Sequence, residues 1–198
     1  MAIKAIIFDC FGVLVIARRI KLYQDYPQFK TEIDDLGYQS DYGMTSRQQF
    51  DDSIAELVGL TPGEVETEYW AANVRNEPAI TWVRELKLSG QYKIGMLSNV
   101  GRGFIDDSLP PAEQASLFDT VVLSCDVGMV KPDPRIFEFI AERLGVIPDE
   151  CIMIDDLPSN IDGAERAGMQ GIVFGSIGQA QAELKHLLEL SNARITRG

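Results

Sequence analysis

Four polar signals stand at or just beyond the ends of apolar runs: Asp9, the pair Ser98-Asn99, Lys131, and the pair Asp155-Asp156. Asp9 follows Ile6-Ile7-Phe8 directly, and Gly12 comes three residues later. A buried charge needs a partner, so an aspartate at such a place is a metal ligand or a nucleophile. Asp9, Asp155 and Asp156, brought together, make a cluster of hard oxygen donors that suits Mg²⁺. Without a cation the cluster would repel itself and raise its own pKa values. Lys131, within Gly128-Met129-Val130-Lys131-Pro132, supplies a point positive charge, and Ser98 supplies a hydroxyl donor. Carboxylates with a metal on one side, and Lys and Ser donors on the other, meet the needs of a transferring phosphoryl group. Asp9 could then attack phosphorus and form an aspartyl phosphate. Each signal has a plainer reading. Asp9 or Ser98-Asn99 could sit in a turn, Lys131-Pro132 could open a helix, and Asp155-Asp156 could form an N-cap region. Their shared place near strand ends favours the chemical reading over four separate coincidences.

The elements that would position these residues follow from periodicity. Apolar runs at 3–8, Tyr92 to Leu97, Thr120 to Leu123, Cys151 to Ile154 and Gly171 to Phe174 read as buried strands. Helical spacing marks 78–89, closed by Gly90, and Arg135 to Leu144, closed by Gly145. It also marks Asn160 to Ala167, closed by Gly168, and Gln179 to Leu190. Strand and helix alternate from residue 78 onward, which predicts an α/β fold: a parallel sheet with helices on both faces. In such a sheet the carboxyl ends of the strands converge on one edge. Residues 16 to 76 differ. They hold helical patches at Arg19–Leu36, Ser46–Val58 and Pro62–Asn73, with Phe50, Ile54, Leu57 and Val58 at helical spacing. This predicts a small helical insertion after the first strand, poised over the carboxyl edge as a lid. The corresponding core is 1–15 with 77–198.

Bulk properties narrow the function. The 198-residue chain is 45% apolar and 24% charged, as ordinary globular proteins are, and its net charge is -12. That charge speaks against a nucleic-acid surface, and it leaves an anionic substrate dependent on local positive charge or a metal. Cys10, Cys125 and Cys151 are odd in number and fit no zinc spacing, so they read as reduced, buried thiols. The carboxylate beside Cys10 raises its thiol pKa and works against a nucleophilic cysteine. His186 is the single histidine and lies in a Leu-rich helical tail, which leaves a histidine mechanism little to draw on. No segment has the length of a membrane span or the layout of a signal peptide, and the expected compartment is the cytoplasm. Oligomeric state is not written in these features.

The ordered motifs resemble those of the haloacid dehalogenase superfamily, mostly Mg²⁺-dependent phosphatases. They are Phe8-Asp9-Cys10-Phe11-Gly12-Val13-Leu14, Met96-Leu97-Ser98-Asn99, Gly128-Met129-Val130-Lys131-Pro132, and Ile154-Asp155-Asp156-Leu157-Pro158-Ser159-Asn160-Ile161. Gly163-Ala164 and Ala167-Gly168-Met169 follow the last of them. The resemblance implies a Rossmann-like, doubly wound core with a small helical cap. It implies Asp9 as nucleophile, with Ser98, Asn99 and Lys131 on the phosphate. It implies Mg²⁺ on Asp9, Asp156 and the backbone carbonyl of Phe11, with Asp155 ligating or close behind. The implied partner is a small phosphorylated metabolite.

One position departs from the pattern. Phosphatases of this family usually carry a second aspartate where this chain has Phe11, and that aspartate protonates the leaving oxygen. Members with a non-acidic residue here and an Asp-Asp fourth motif resemble sugar-phosphate phosphatases. Dehalogenases also carry an aromatic residue here, but they lack the paired acid. A third reading keeps the fold as a binding module without turnover.

Overall fold

The computed structural model describes residues 2–16, 19–70 and 73–195. Its strands are β1 (Ala5–Phe8), β2 (Val15–Ile16), β3 (Val74–Arg75), β4 (Lys93–Ser98), β5 (Thr120–Leu123), β6 (Cys151–Asp155) and β7 (Gln170–Val173). Its α-helices are α1 (Arg19–Asp25), α2 (Lys30–Asp41), α3 (Arg47–Val58), α4 (Pro62–Val65), α5 (Glu77–Ser89), α6 (Pro111–Leu117), α7 (Ser124–Val127), α8 (Pro134–Leu144), α9 (Pro158–Arg166) and α10 (Ile177–Ile195).

Five strands form one sheet in the order β5-β4-β1-β6-β7, with every pairing parallel. β1 is central and its residues are fully buried, which its unbroken apolar run demands. Successive side chains point to opposite faces. Ile6, Phe8, Ile94, Met96, Ile152 and Ile154 pack with Ile80 and Val83 of α5 and with Leu184 of α10. Ala5, Ile7, Leu97 and Met153 pack with Ile136, Phe137 and Ile140 of α8 and with Ile161 and Ala164 of α9. The sheet is thus covered on both sides, the α/β class read from the alternation of elements.

Register then fixes the functional edge. Phe8 pairs with Met96 on one side and with Ile154 on the other. Asp9, Ser98 and Asp155 therefore emerge together where three adjacent strands end. The chain leaves this edge and returns to it through β2 and β3, which pair antiparallel as Val15 with Arg75 and Ile16 with Val74. The return is tied down by Asn76, whose amide donates to the Val13 carbonyl and whose N–H donates to the Leu14 carbonyl, both at 2.8 Å.

Between β2 and β3 lie helices with a core of their own, which includes Leu22, Ile33, Phe50, Ile54, Val65 and Tyr69. The helical patch read over Arg19–Leu36 is broken at Pro27, where a short 3₁₀ turn (Pro27–Phe29) separates α1 from α2. α3 starts from a capping box in which the Ser46 hydroxyl and Gln49 satisfy each other's N–H groups. The last patch continues past α4 as a π-helical turn over Glu66–Trp70, and residues 71–72 of that patch lie outside the described residues.

This helical unit touches the sheet's carboxyl edge. Arg47 of α3 donates to the Gly103 carbonyl at 2.9 Å and to Asp107 at 3.0 Å, and its guanidinium lies over the Phe104 ring. The Ser124 hydroxyl donates to the Asp41 carbonyl at 2.6 Å. Among the described residues no helix is long and apolar enough to cross a membrane.

Candidate active site

Asp9 caps β1 at 5% exposure, and its N–H donates to the Ile154 carbonyl at 2.9 Å. One carboxylate oxygen accepts from the Cys10 N–H at 2.6 Å and faces the Lys131 ammonium at 2.9 Å. Lys131 is itself buried. Its Nζ donates to Asp155 Oδ2 at 2.6 Å and to the Leu97 carbonyl at 3.0 Å. Three oxygens thus surround a group with three protons.

Two residues hold that cation in place. Asn99 clamps the Lys131 backbone: its Oδ1 accepts from the Lys131 N–H and its Nδ2 donates to the Lys131 carbonyl, both at 2.8 Å. Asn99 was expected on the substrate from its place in the second motif. In the structure both its amide atoms hydrogen-bond to the Lys131 backbone, so it positions Lys131 beside the site. Asp155 is fully buried and accepts from the Leu157 N–H at 2.9 Å and from Asn160 Nδ2 at 2.9 and 3.0 Å, besides Lys131. Asn160 lies in the first turn of α9, and its spacing of five from Asp155 is the signal by which sequence reasoning could have found it.

Asp156 is half-buried and lies against the loop after Asp9. A Cβ added at Gly12 would overlap its carboxylate, and Gly12 has φ 90°, so both conformation and contact require glycine there. Carboxylate oxygens of Asp9, Asp155 and Asp156 all lie within 4.8 Å of one another. Ser98 is fully buried, and its hydroxyl has no hydrogen-bond partner. Such a group is costly to bury unless something completes it.

Electrostatics follow from this geometry. Burial pushes the Asp9 carboxyl above its usual range, with Lys131 opposing and Asp155 adding to the rise. Burial, and then the Asp155 charge, raise Asp156 as well. Burial works against the Lys131 ammonium, but the charges of Asp9 and Asp155 outweigh it and its pKa rises. Burial and the Asp9 charge push the Cys10 thiol up, which makes it a poor nucleophile. His186 is exposed on α10. The carboxylate cluster lacks enough positive charge as it stands, and its hard oxygen donors suit a small divalent cation such as Mg²⁺.

A parallel sheet whose carboxyl edge carries a buried aspartate–lysine–aspartate group, a buried hydroxyl and a third carboxylate is an α/β enzyme of the hydrolase kind. The sequence pattern of the haloacid dehalogenase-like hydrolases matches residues 3–168, and the chain belongs to that family. It is 28% identical over 177 residues to the pyrophosphatase PpaX of Bacillus cereus, covering 85% of this chain and 81% of that one. It is 30% identical over 129 residues to bifunctional epoxide hydrolase 2 of Rattus norvegicus, 62% of this chain, and spans only 23% of that longer protein. The fold is also that of a family enzyme from Bacteroides thetaiotaomicron, solved in complex with magnesium and inorganic phosphate. That likeness has a TM-score of 0.73 at 23% identity, over 86% of this chain and 93% of the other.

Proposed function

We propose that this hydrolase is a Mg²⁺-dependent phosphomonoesterase that acts on a small phosphorylated metabolite through an aspartyl phosphate on Asp9. The observation that carries the reading is the buried Lys131 held between Asp9 and Asp155, next to the partnerless Ser98 hydroxyl. A phosphate oxygen is an acceptor of the kind that hydroxyl lacks.

In this reading an Asp9 oxygen attacks phosphorus while the bond to the leaving oxygen breaks. Water then attacks the aspartyl phosphate, which releases phosphate and restores the carboxylate. Lys131 and Ser98 orient the phosphoryl oxygens. Asn99 and Asp155 keep Lys131 in place. Asp9, Asp156 and the Phe11 carbonyl would hold Mg²⁺, with Asp155 behind them, and the ion would neutralise phosphate charge. The helical unit over 16–76 acts as the cap. Three buried thiols suit a reducing compartment such as the cytoplasm. PpaX, named as a pyrophosphatase, fits the same phosphorus chemistry.

Two tests arise here. Mg²⁺ is expected to raise the melting temperature by a few degrees, as ligands of the folded state do. The rise should be larger in mildly alkaline than in mildly acidic buffer, because protons compete for carboxyls whose pKa values are raised. Differential scanning fluorimetry with Asp156→Asn checks this, and a rise that survives the substitution would contradict the assignment. Phe11→Asp is expected to speed alkyl phosphate hydrolysis by about 10²-fold, the lower end of what a placed general acid contributes. Steady-state phosphate release measures it. No gain would mean that another group already protonates the leaving oxygen.

A further inference from the structure

Asn76 stands where the helical unit rejoins the core, between β3 and the first residue of α5. Asparagine at a helix N-cap ordinarily turns its side chain onto the N–H groups of its own helix. This one does not. It makes no side-chain cap bond, and Pro78, at the second helical position, has no N–H to offer. The Asn76 amide crosses instead to the loop that follows Asp9, where Nδ2 donates to the Val13 carbonyl at 2.8 Å. Its backbone N–H donates to the next carbonyl, that of Leu14, also at 2.8 Å.

The gripped loop is otherwise closed on itself. The Gly12 N–H donates to the Val15 carbonyl at 2.8 Å, and the Leu14 and Val15 N–H groups donate to the Cys10 carbonyl at 2.8 and 2.9 Å. The carbonyls of Cys10, Val13, Leu14 and Val15 are thereby engaged. Among the described residues nothing donates to the Phe11 carbonyl. That oxygen is the one the Mg²⁺ reading needs, and the turn around it decides where it stands. Gly12 holds the same turn against the Asp156 carboxylate, with no room for a Cβ. Slack in the turn would alter the spacing between the Phe11 carbonyl and Asp156. Mg²⁺ demands near-ideal octahedral geometry, so a small displacement costs affinity.

We propose that Asn76 is a positioning residue for this loop: its amide fixes the turn over 11–14 and thereby sets the affinity of the site for Mg²⁺. The proposal rests on the Mg²⁺-dependent reading above and deepens it. Asn76 is not a ligand in it. Partners that orient metal ligands from outside typically cost about 10–100-fold in metal affinity when lost. Asn76 acts on the loop and not on a ligand atom, so the lower end of that range, about tenfold, is expected.

Mg²⁺ is titrated calorimetrically, with no substrate present, into the wild-type protein, Asn76→Ser and Asn76→Ala. Serine is uncharged and a good N-cap, so α5 keeps its start. Its hydroxyl ends one bond nearer the backbone than the amide nitrogen, so the link to Val13 is lost. Both variants should bind Mg²⁺ about tenfold more weakly. Arg75→Met is the control, since it breaks the ion pair with Glu113 at the same junction and leaves the loop contact alone. It should lower the urea midpoint at least as much as Asn76→Ser and leave Mg²⁺ affinity unchanged. Hydrogen exchange of the metal-free proteins is followed in parallel. Asn76→Ser should speed exchange over 10–15 and spare α5, whereas a purely structural role would speed both. Unchanged Mg²⁺ affinity in the Asn76 variants, or an equal loss in Arg75→Met, would overturn the proposal. If the wild-type protein binds no Mg²⁺, the metal reading fails, and exchange over 10–15 decides whether Asn76 holds the loop. Unchanged exchange there would overturn that half as well.

Discussion

Asp9→Asn is expected to reduce phosphate release by about 10⁴-fold or more, the scale on which loss of a covalent nucleophile is felt. The amide keeps the size of the carboxylate and can still accept from the Cys10 N–H, so the local backbone has no reason to move. What it loses is nucleophilicity. The substitution also removes a buried negative charge, and stability should report that. A carboxyl whose folded pKa lies above its unfolded value stabilises the fold at low pH, and that contribution is lost as pH rises through the folded value. The wild-type protein should therefore lose stability across the weakly acidic range more steeply than the asparagine variant. Urea unfolding at several pH values, alongside phosphate release, checks both halves. An active Asp9→Asn protein would refute the nucleophile assignment.

Lys131→Met carries the second large effect, and it falls on folding as well as on turnover. The ammonium is buried between Asp9 and Asp155, at 2.9 and 2.6 Å. Methionine matches its length but leaves two carboxylates buried beside each other with no cation. Breaking a buried ion pair from one side costs about 3–5 kcal/mol, because the remaining charge is uncompensated. Lys131→Arg is not a safe alternative, since a planar fork does not fit a site built around a point donor with three oxygens. Denaturant unfolding without added metal is the measurement. A loss under about 1 kcal/mol would mean that the lysine contributes little to holding the two aspartates, and that their charges are handled in another way.

The strands were readable because each is an unbroken apolar run, and that is a property of parallel strands buried on both faces. The run Ile6-Ile7-Phe8 and its counterparts mark not only strands but also where they end. The sequence alone therefore places Asp9, Ser98 and Asp155 on one edge. Lys131 was legible from chemistry, as the cation such an edge requires. What stayed hidden depends on contacts between distant segments. Nothing local shows that Asn99 clamps the Lys131 backbone 32 residues away, or that Arg47 reaches Gly103 and Asp107. The pair β2–β3 has two residues per strand, too few for a period to show. The break at Pro27 was visible in the sequence, but helical spacing on both sides masked it.

The relation between Phe11 and the rest of the site bears on what the enzyme can do well. In the proposed reading the carboxylates that would hold Mg²⁺ and the lysine lie together at the carboxyl edge, while Phe11 stands where a leaving oxygen would be protonated. On that reading the site would be equipped for attack on phosphorus and selective about what departs. Leaving oxygens that are stable as anions would satisfy it better than simple alkoxides.

The most direct test is to mix the protein with an activated aryl phosphate and Mg²⁺, quench in acid within the first turnovers, and map the mass of the peptide that contains Asp9. The expected result is a phosphoryl group on Asp9 that is absent with chelator and absent in Asp9→Asn. Turnover with no phosphoryl group on Asp9 would contradict the account. So would an alkyl ester on Asp9 formed from a 2-haloacid in the presence of chelator, which would make the protein a dehalogenase.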